Sequence, residues 1–196
     1  MVLNKLIAVE GNDEVNFFNC LLKDMGFDNY AVEGVGGTRR FNDYFSALVQ
    51  SSDFSNVDTI IVIRDADESA ENAFESIKNV LISVNLEPPK KVNYFSNSIP
   101  KVGVFIMPGD SEKGMLEDLC LRTVKDHPVM ELIDVFVKFV LKLEKPPKNI
   151  AKSKAQVFLA AMPDIVCSVG LGAAKGYWDF NSEELLALKS FLNHLK

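Results

Sequence analysis

Cysteine, histidine and tryptophan are scarce in this chain, and so is any surplus of positive charge. Cys20, Cys120 and Cys167 are odd in number, widely spaced and each set in an apolar pattern. That excludes a disulfide framework or a cysteine-ligated zinc site and predicts reduced packing thiols, which suit a cytoplasm. The two histidines, His127 and His194, have no companions that would make a triad or a zinc site, so both are read as structural or solvated. Lys and Arg number 21 against 27 Asp and Glu, a net charge of −6. Such a balance excludes a generic nucleic-acid coating protein, whose affinity comes from phosphate neutralisation. It leaves room for a nucleic-acid enzyme that gathers its acid into a metal site.

Long apolar runs are missing too. The most apolar stretch, Val129 to Leu143, is interrupted by Glu131, Asp134, Lys138 and Lys142, whereas about twenty apolar residues are needed to cross a bilayer. It is predicted to be a core helix, with no membrane partner. The opening stretch Met1 to Glu10 lacks the basic region, apolar core and cleavage site of a signal peptide and reads as a strand, so a protein that is not exported is expected. There is no Pro/Gly/Ser-rich linker, internal repeat or low-complexity tract. With 196 residues, 47% of them apolar, the chain is expected to build one domain over residues 1–196.

What is present is an alternation of strand and helix. Leu6 to Val9 predicts a first strand. Val15, Phe18, Leu22 and Met25 put one apolar face on a helix from about Asp13 to Met25, which Gly26 ends. Tyr30 to Val35 predicts the second strand, Thr38 to Val49 the second helix, and Thr59 to Ile63 the third strand. A third helix carries Phe74, Ile77, Leu81 and Val84, and Val102 to Met107 predicts a fourth strand. Asn93 to Ile99 is a weaker candidate for an edge strand. Helices are expected near residues 114–125, 129–143 and 151–161, a fifth strand at Ile165 to Val169, and a last helix with Leu185, Leu188, Leu192 and Leu195 on one stripe. The class is α/β: a mostly parallel central sheet covered by helices on both faces over residues 1–120, with a mainly helical extension over 121–196.

The chemistry concentrates at two strand ends. Asp65 and Asp67 follow the third strand one residue apart, at the end where open α/β sheets bind ligands. Two carboxylates so close repel each other, and a hard divalent cation relieves the repulsion. The other reading is that one of them N-caps the following helix. Glu10 follows the first strand, before Gly11, which permits close approach. Glu14 lies four residues on, in the first helical turn, where it either faces the same cavity or complements the helix dipole together with Asp13. In a doubly wound sheet the first and third strands can be neighbours, which would bring Glu10 and Glu14 to Asp65 and Asp67.

In these residues the chain resembles the Toprim family. Glu10-Gly11 after one strand and Asp65-Ala66-Asp67 after a later one match its acidic motifs, and Glu10-Gly11-x-x-Glu14 is closest to the Toprim module of the overcoming-lysogenisation-defect (OLD) nucleases and to small stand-alone prokaryotic Toprim-like proteins. The resemblance covers about residues 5–120 and implies a Rossmann-like three-layer sandwich and phosphoryl transfer on nucleic acid, DNA or RNA, assisted by Mg²⁺ or Mn²⁺. It implies an acid after the fourth strand, for which Glu117 is available, and a lysine at the start of a later helix, matched by Lys154 and next by Lys152. No ATPase module is fused to the chain, so an ATPase or other protein partner is part of the expectation.

Stated as chemistry, one or two ions held by Glu10, Glu14, Asp65, Asp67 and Glu117 would activate a water and stabilise the leaving oxygen in phosphodiester hydrolysis. With a single ion, Glu10 becomes the general base. Lys154 would stabilise charge on the phosphate, and Arg39 and Arg40, after Gly36-Gly37, either grip the substrate backbone or form a solvated helix start. Lys142, Lys145, Lys148, Lys152 and Lys154 make the densest basic stretch, readable also as a solvated loop. Trp178 and Tyr177 are expected to pack on the last helix, and Gly170-Leu171-Gly172 to form a loop turn. The alternative to an enzyme is a non-catalytic Toprim-like module that binds a metal, nucleotide or protein partner.

Overall fold

The structure is a computed structural model that describes residues 4–109 and 112–195. Met1 to Leu3 of the opening stretch lie outside the described residues. Five strands form one sheet: β1 (Lys5–Val9), β2 (Tyr30–Gly34), β3 (Thr59–Asp65), β4 (Tyr94–Phe95) and β5 (Lys101–Met107), in the order β2-β1-β3-β5-β4. All neighbours are parallel except β4, which runs antiparallel along β5. The chain is a mixed α/β protein of Rossmann-like architecture.

Period-2 alternation sends successive strand residues to opposite faces. Ile7 and Val9, Ile61 and Ile63, and Phe105 and Met107 join one apolar cluster with helices α1 (Asn12–Asp24), α4 (Leu116–Thr123), α5 (Val129–Val140), α6 (Ile150–Ala160), α7 (Val169–Ala174) and α8 (Leu186–Leu192). Ala8, Ile60, Val62, Val102, Val104 and Ile106 join the other with α2 (Phe41–Gln50) and α3 (Ala70–Ser83). The strands are apolar on both sides because both faces are covered. Connections from β1 lead outward to β2 on one side, and from β2 back across to β3 on the other. The winding of the chain therefore reverses between the parallel neighbours β1 and β3, and crevices at the carboxyl ends of two such strands are where α/β sheets place ligands.

Several expectations need correction. Ile165 to Val169 is not a strand: Ile165 is exposed, Ser168 N-caps α7 by accepting from Leu171 N–H (3.3 Å), and Val169 is already helical. Gly170-Leu171-Gly172 accordingly lies inside α7 and is not a turn. Its glycines serve packing, because a Cβ on Gly170 would stand 2.4 Å from the carbonyl oxygen of Asp13 on α1. The edge-strand candidate shrinks to Tyr94–Phe95, and α5 ends at Val140, short of Leu143. Cys167 is exposed, not a packing thiol, while Cys120 is buried. Trp178 is buried in the same cluster as the last helix; it stacks on Phe158 of α6 and donates to Val169 O (2.7 Å).

Candidate active site

β3 runs two residues beyond the predicted end, so Arg64 and Asp65 are strand residues and Asp65 is buried at the sheet's edge. Asp65 shares its strand parity with Ile61 and Ile63 and faces α1 and α4. The backbone N–H of Leu116, at the start of α4, donates to Asp65 Oδ1 (3.0 Å). Arg64 and Glu10 share the opposite parity. They pair across the β1–β3 gap, with Arg64 Nε 3.6 Å from Glu10 Oε1, and the same oxygen accepts from Asp65 N–H (3.3 Å). Glu10 and Asp65 thus flank the switch point from either side of the sheet, joined through one backbone amide.

Neither Asp65 nor Asp67 caps α3. That duty falls to Ser69, whose hydroxyl accepts from Asn72 N–H (3.2 Å). Asp67 sits in the left-handed region (φ +51°), which Asp tolerates better than most residues. Its backbone is pinned on both sides to Gly114: Asp67 N–H to Gly114 O at 2.9 Å and Gly114 N–H to Asp67 O at 3.0 Å. Gly114 has φ +130°, and a Cβ there would lie 3.0 Å from the Pro108 ring. This bridge carries the chain into α4 and sets Glu117 beside the strand ends.

Glu14 folds back over the start of α1, its Oε2 lying 3.2 Å from where a Cβ on Gly11 would be. The glycine therefore supplies room for the carboxylate; its own backbone is extended. Asp13 is committed elsewhere: its two oxygens accept from Val169 N–H (3.2 Å) and Gly170 N–H (2.6 Å), so it caps α7.

The electrostatics register the crowding. Burial pushes the Glu10 carboxyl up from 4.5 to about 7, with Arg64 and the Asp65 N–H opposing and Asp67 and Glu14 adding to the rise. Asp65 stands well above the usual carboxylate range, first through burial, then through Glu10, Glu14 and Glu117, with the Leu116 N–H opposing. Glu117 is raised by burial and by Glu14 and Asp13, and lowered by Lys152. Each of the five sequence-predicted acids therefore lies within electrostatic reach of at least one other, Asp67 through Glu10 and Glu117 through Glu14 and Asp65. They do not converge as ready ligands: among the described residues no three His, Cys, Asp or Glu side chains form a metal-sized cluster. Glu10 instead takes Arg64, Asp65 takes an amide, and Glu117 takes Lys152 Nζ at 3.7 Å. The donors are nonetheless all carboxylate oxygens, the set that hard divalent cations prefer.

The two candidate lysines separate. Lys152 lies in the first turn of α6 and reaches Glu117, whereas Lys154 pairs with Asp134 on α5. Beside Asp67, a cavity of about 270 Å³ is lined by Lys113, Gly114, Lys148 and Asn149, the N-cap of α6. Arg39 and Arg40 form an exposed 3₁₀ turn after β2, and that loop is tied to the site through Gly36 and Gly37, whose N–H groups donate to Glu10 O (3.0 and 2.8 Å). Sequence reasoning missed Arg64 as the partner of Glu10. The available signal was a lone arginine after four apolar strand residues, at the parity of Ile60 and Val62.

A family model described as "Protein of unknown function (DUF3226)" matches residues 4–196. No curated protein matches the sequence. Among solved structures the chain is similar to the C-terminal region of the Xanthomonas campestris pv. campestris OLD protein. The iodine-phased structure has TM-score 0.43 and 14% identity over 97% of this chain and 93% of that one. The mercury-phased structure has TM-score 0.40 and 15% identity over 88% and 79%. Likenesses this distant say nothing of chemistry.

Proposed function

This chain belongs to the DUF3226 family of proteins of unknown function, and for it we propose a Toprim-like carboxylate site that carries out phosphoryl transfer on nucleic acid, as phosphodiester hydrolysis dependent on Mg²⁺ or Mn²⁺. The observation that carries the reading is the gathering of Glu10, Glu14, Asp65, Asp67 and Glu117 from β1, α1, β3 and α4 towards the β1–β3 switch point, with Glu10, Asp65 and Glu117 all raised by burial and by neighbouring acids. Acids held at such cost to their ionised forms suit a site that binds a cation or moves a proton. The residues to hold one or two ions are Asp65 and Asp67 with Glu10, Glu14 and Glu117. A bound Mg²⁺ or Mn²⁺ supplies a water of lowered pKa and neutralises charge on the leaving oxygen.

The chain's own groups account for the remaining work. With a single ion on Asp65 and Asp67, Glu10, with a carboxyl at about 7, is matched to accept a proton from water near neutral pH. Arg64 holds it in place and keeps part of its population ionised. Lys152 is offered in preference to Lys154 as the cation that meets the phosphate, because its ammonium reaches the acidic cluster while that of Lys154 is spent on Asp134. Lys148 and the amino end of α6 extend the positive rim beside Asp67, and Arg39 and Arg40, on the loop tied to Glu10 O, are offered as further grips on the substrate backbone. The substrate is DNA or RNA, with an ATPase or other protein as partner and the cytoplasm as compartment.

The test is nicking of a supercoiled plasmid and cleavage of a single-stranded RNA with Mg²⁺ or Mn²⁺. Cleavage should be abolished in Asp65→Asn/Asp67→Asn and lowered about 10²-fold in Lys152→Ala, with Lys154→Ala near wild type. Activity that survives in the double variant contradicts the proposal. A second reading, a non-catalytic module that binds a metal, nucleotide or protein partner, is favoured by the Arg64–Glu10 pair, which already supplies a cation to the central acid. Metal binding with no cleavage of either substrate selects it.

A further inference from the structure

α5 presents two apolar faces where one would suffice. Met130, Ile133 and Val137 are buried against the core. On the other side Leu132, Val135, Phe136 and Phe139 follow at helical spacing and Leu143 continues the line beyond the helix, all exposed, Leu132 and Phe139 by 69% and 65%. Glu131, Asp134, Lys138 and Lys142, also exposed, run along one flank of this stripe. Lys142 Nζ sits over the Phe139 ring at 5.4 Å, which places it at the stripe's border.

We propose that this stripe is the interface of a homodimer, in which α5 of one copy packs antiparallel on α5 of a second around a two-fold axis beside Phe136. The charges argue for a second copy of this chain as occupant. The flank is acidic in its amino half and basic in its carboxyl half, so antiparallel pairing sets Glu131 opposite the partner copy's lysine at position 142, twice. Asp134 already takes Lys154 in its own chain, so the Glu131–Lys142 pair carries the complementarity. A parallel two-fold arrangement would put the two charged flanks on opposite sides of the pair, where they do not meet. Area points the same way: the five apolar side chains leave on the order of 500 Å² per copy, which with the charged flank approaches the ~800 Å² per partner of a standard interface. An exposed apolar patch of that size is often functional. Phe136, at the centre, is placed as the anchor. This inference stands independently of the acidic site.

Sedimentation equilibrium of the full chain over about a hundredfold range of concentration reads the dimer directly. Twice the chain mass is expected for wild type, with a dissociation constant raised about tenfold or more in Phe136→Glu. Glu131→Lys should weaken the dimer and Glu131→Lys/Lys142→Glu should restore it. The charge pair keeps the test decisive if circular dichroism finds Phe136→Glu unfolded. Monomeric wild type throughout overturns the proposal, and so does a dimer indifferent to these substitutions or a double variant no tighter than Glu131→Lys alone. A face reserved for a different protein would give the first of those results.

Discussion

Glu10 is the residue on which the account turns. It was legible because an acid that ends an apolar strand has no evident structural duty. Its environment was not legible, because strand pairing and parity decide which side chain lies opposite. The structure supplies Arg64 from the neighbouring strand and an amide from Asp65. A carboxyl raised from 4.5 to about 7 binds more protons folded than unfolded between those values. The contribution of Glu10 to stability is therefore fully present below pH 4.5 and lost as pH rises to about 7. In chelator, Glu10→Gln should flatten this part of the stability profile, by on the order of 2 kcal/mol after allowance for solvent screening. Chemical denaturation of both proteins at pH 5 and pH 8 measures it, and an equally steep loss in the variant would refute the assignment. Asp67 shows the opposite limit of sequence reading: the DxD pattern located it, but its left-handed backbone and its bridge to Gly114 depend on a residue far along the chain.

At the scale of elements, short strands and helices with one clean apolar stripe were readable, and elements defined by distant partners were not. α7 is the clearest case. Its β-branched and glycine-rich sequence suggests a strand followed by a turn, yet Asp13 and Ser168 cap a six-residue helix that lies directly on α1. The cap reaches across more than 150 positions, so no local window contains it. The contact needs the absence of a side chain at Gly170, where a Cβ would meet Asp13 O at 2.4 Å and Asn16 Cβ at 2.7 Å. Gly170→Ala should therefore cost at least about 2 kcal/mol, because backbone has to move, despite the higher helix propensity of alanine. Thermal denaturation reads the change, and a stabilised variant would show that α7 packs otherwise. The same geometry explains why Asp13, an acid beside the site, is structural while Glu14 remains free to face it.

At the scale of the whole molecule, the α/β class followed from alternating strand and helix patterns, and the sheet order β2-β1-β3-β5-β4 then brings β1 and β3 together. That adjacency converts two weak motifs 55 positions apart into one cluster. What the topology does not do is converge the carboxylates: Glu10, Asp65 and Glu117 each hold a partner of their own, and the proposed function requires that a cation replace those partners. The proposed cation site is accordingly best tested by calorimetric titration of Mn²⁺ into the chelator-treated protein at pH 6 and pH 8. Saturable binding is expected, tighter at pH 8, with protons released because Glu10 must ionise, and lost in a folded Asp65→Asn/Asp67→Asn variant. Binding unchanged by that substitution, or no binding by the wild type at either pH, would contradict it.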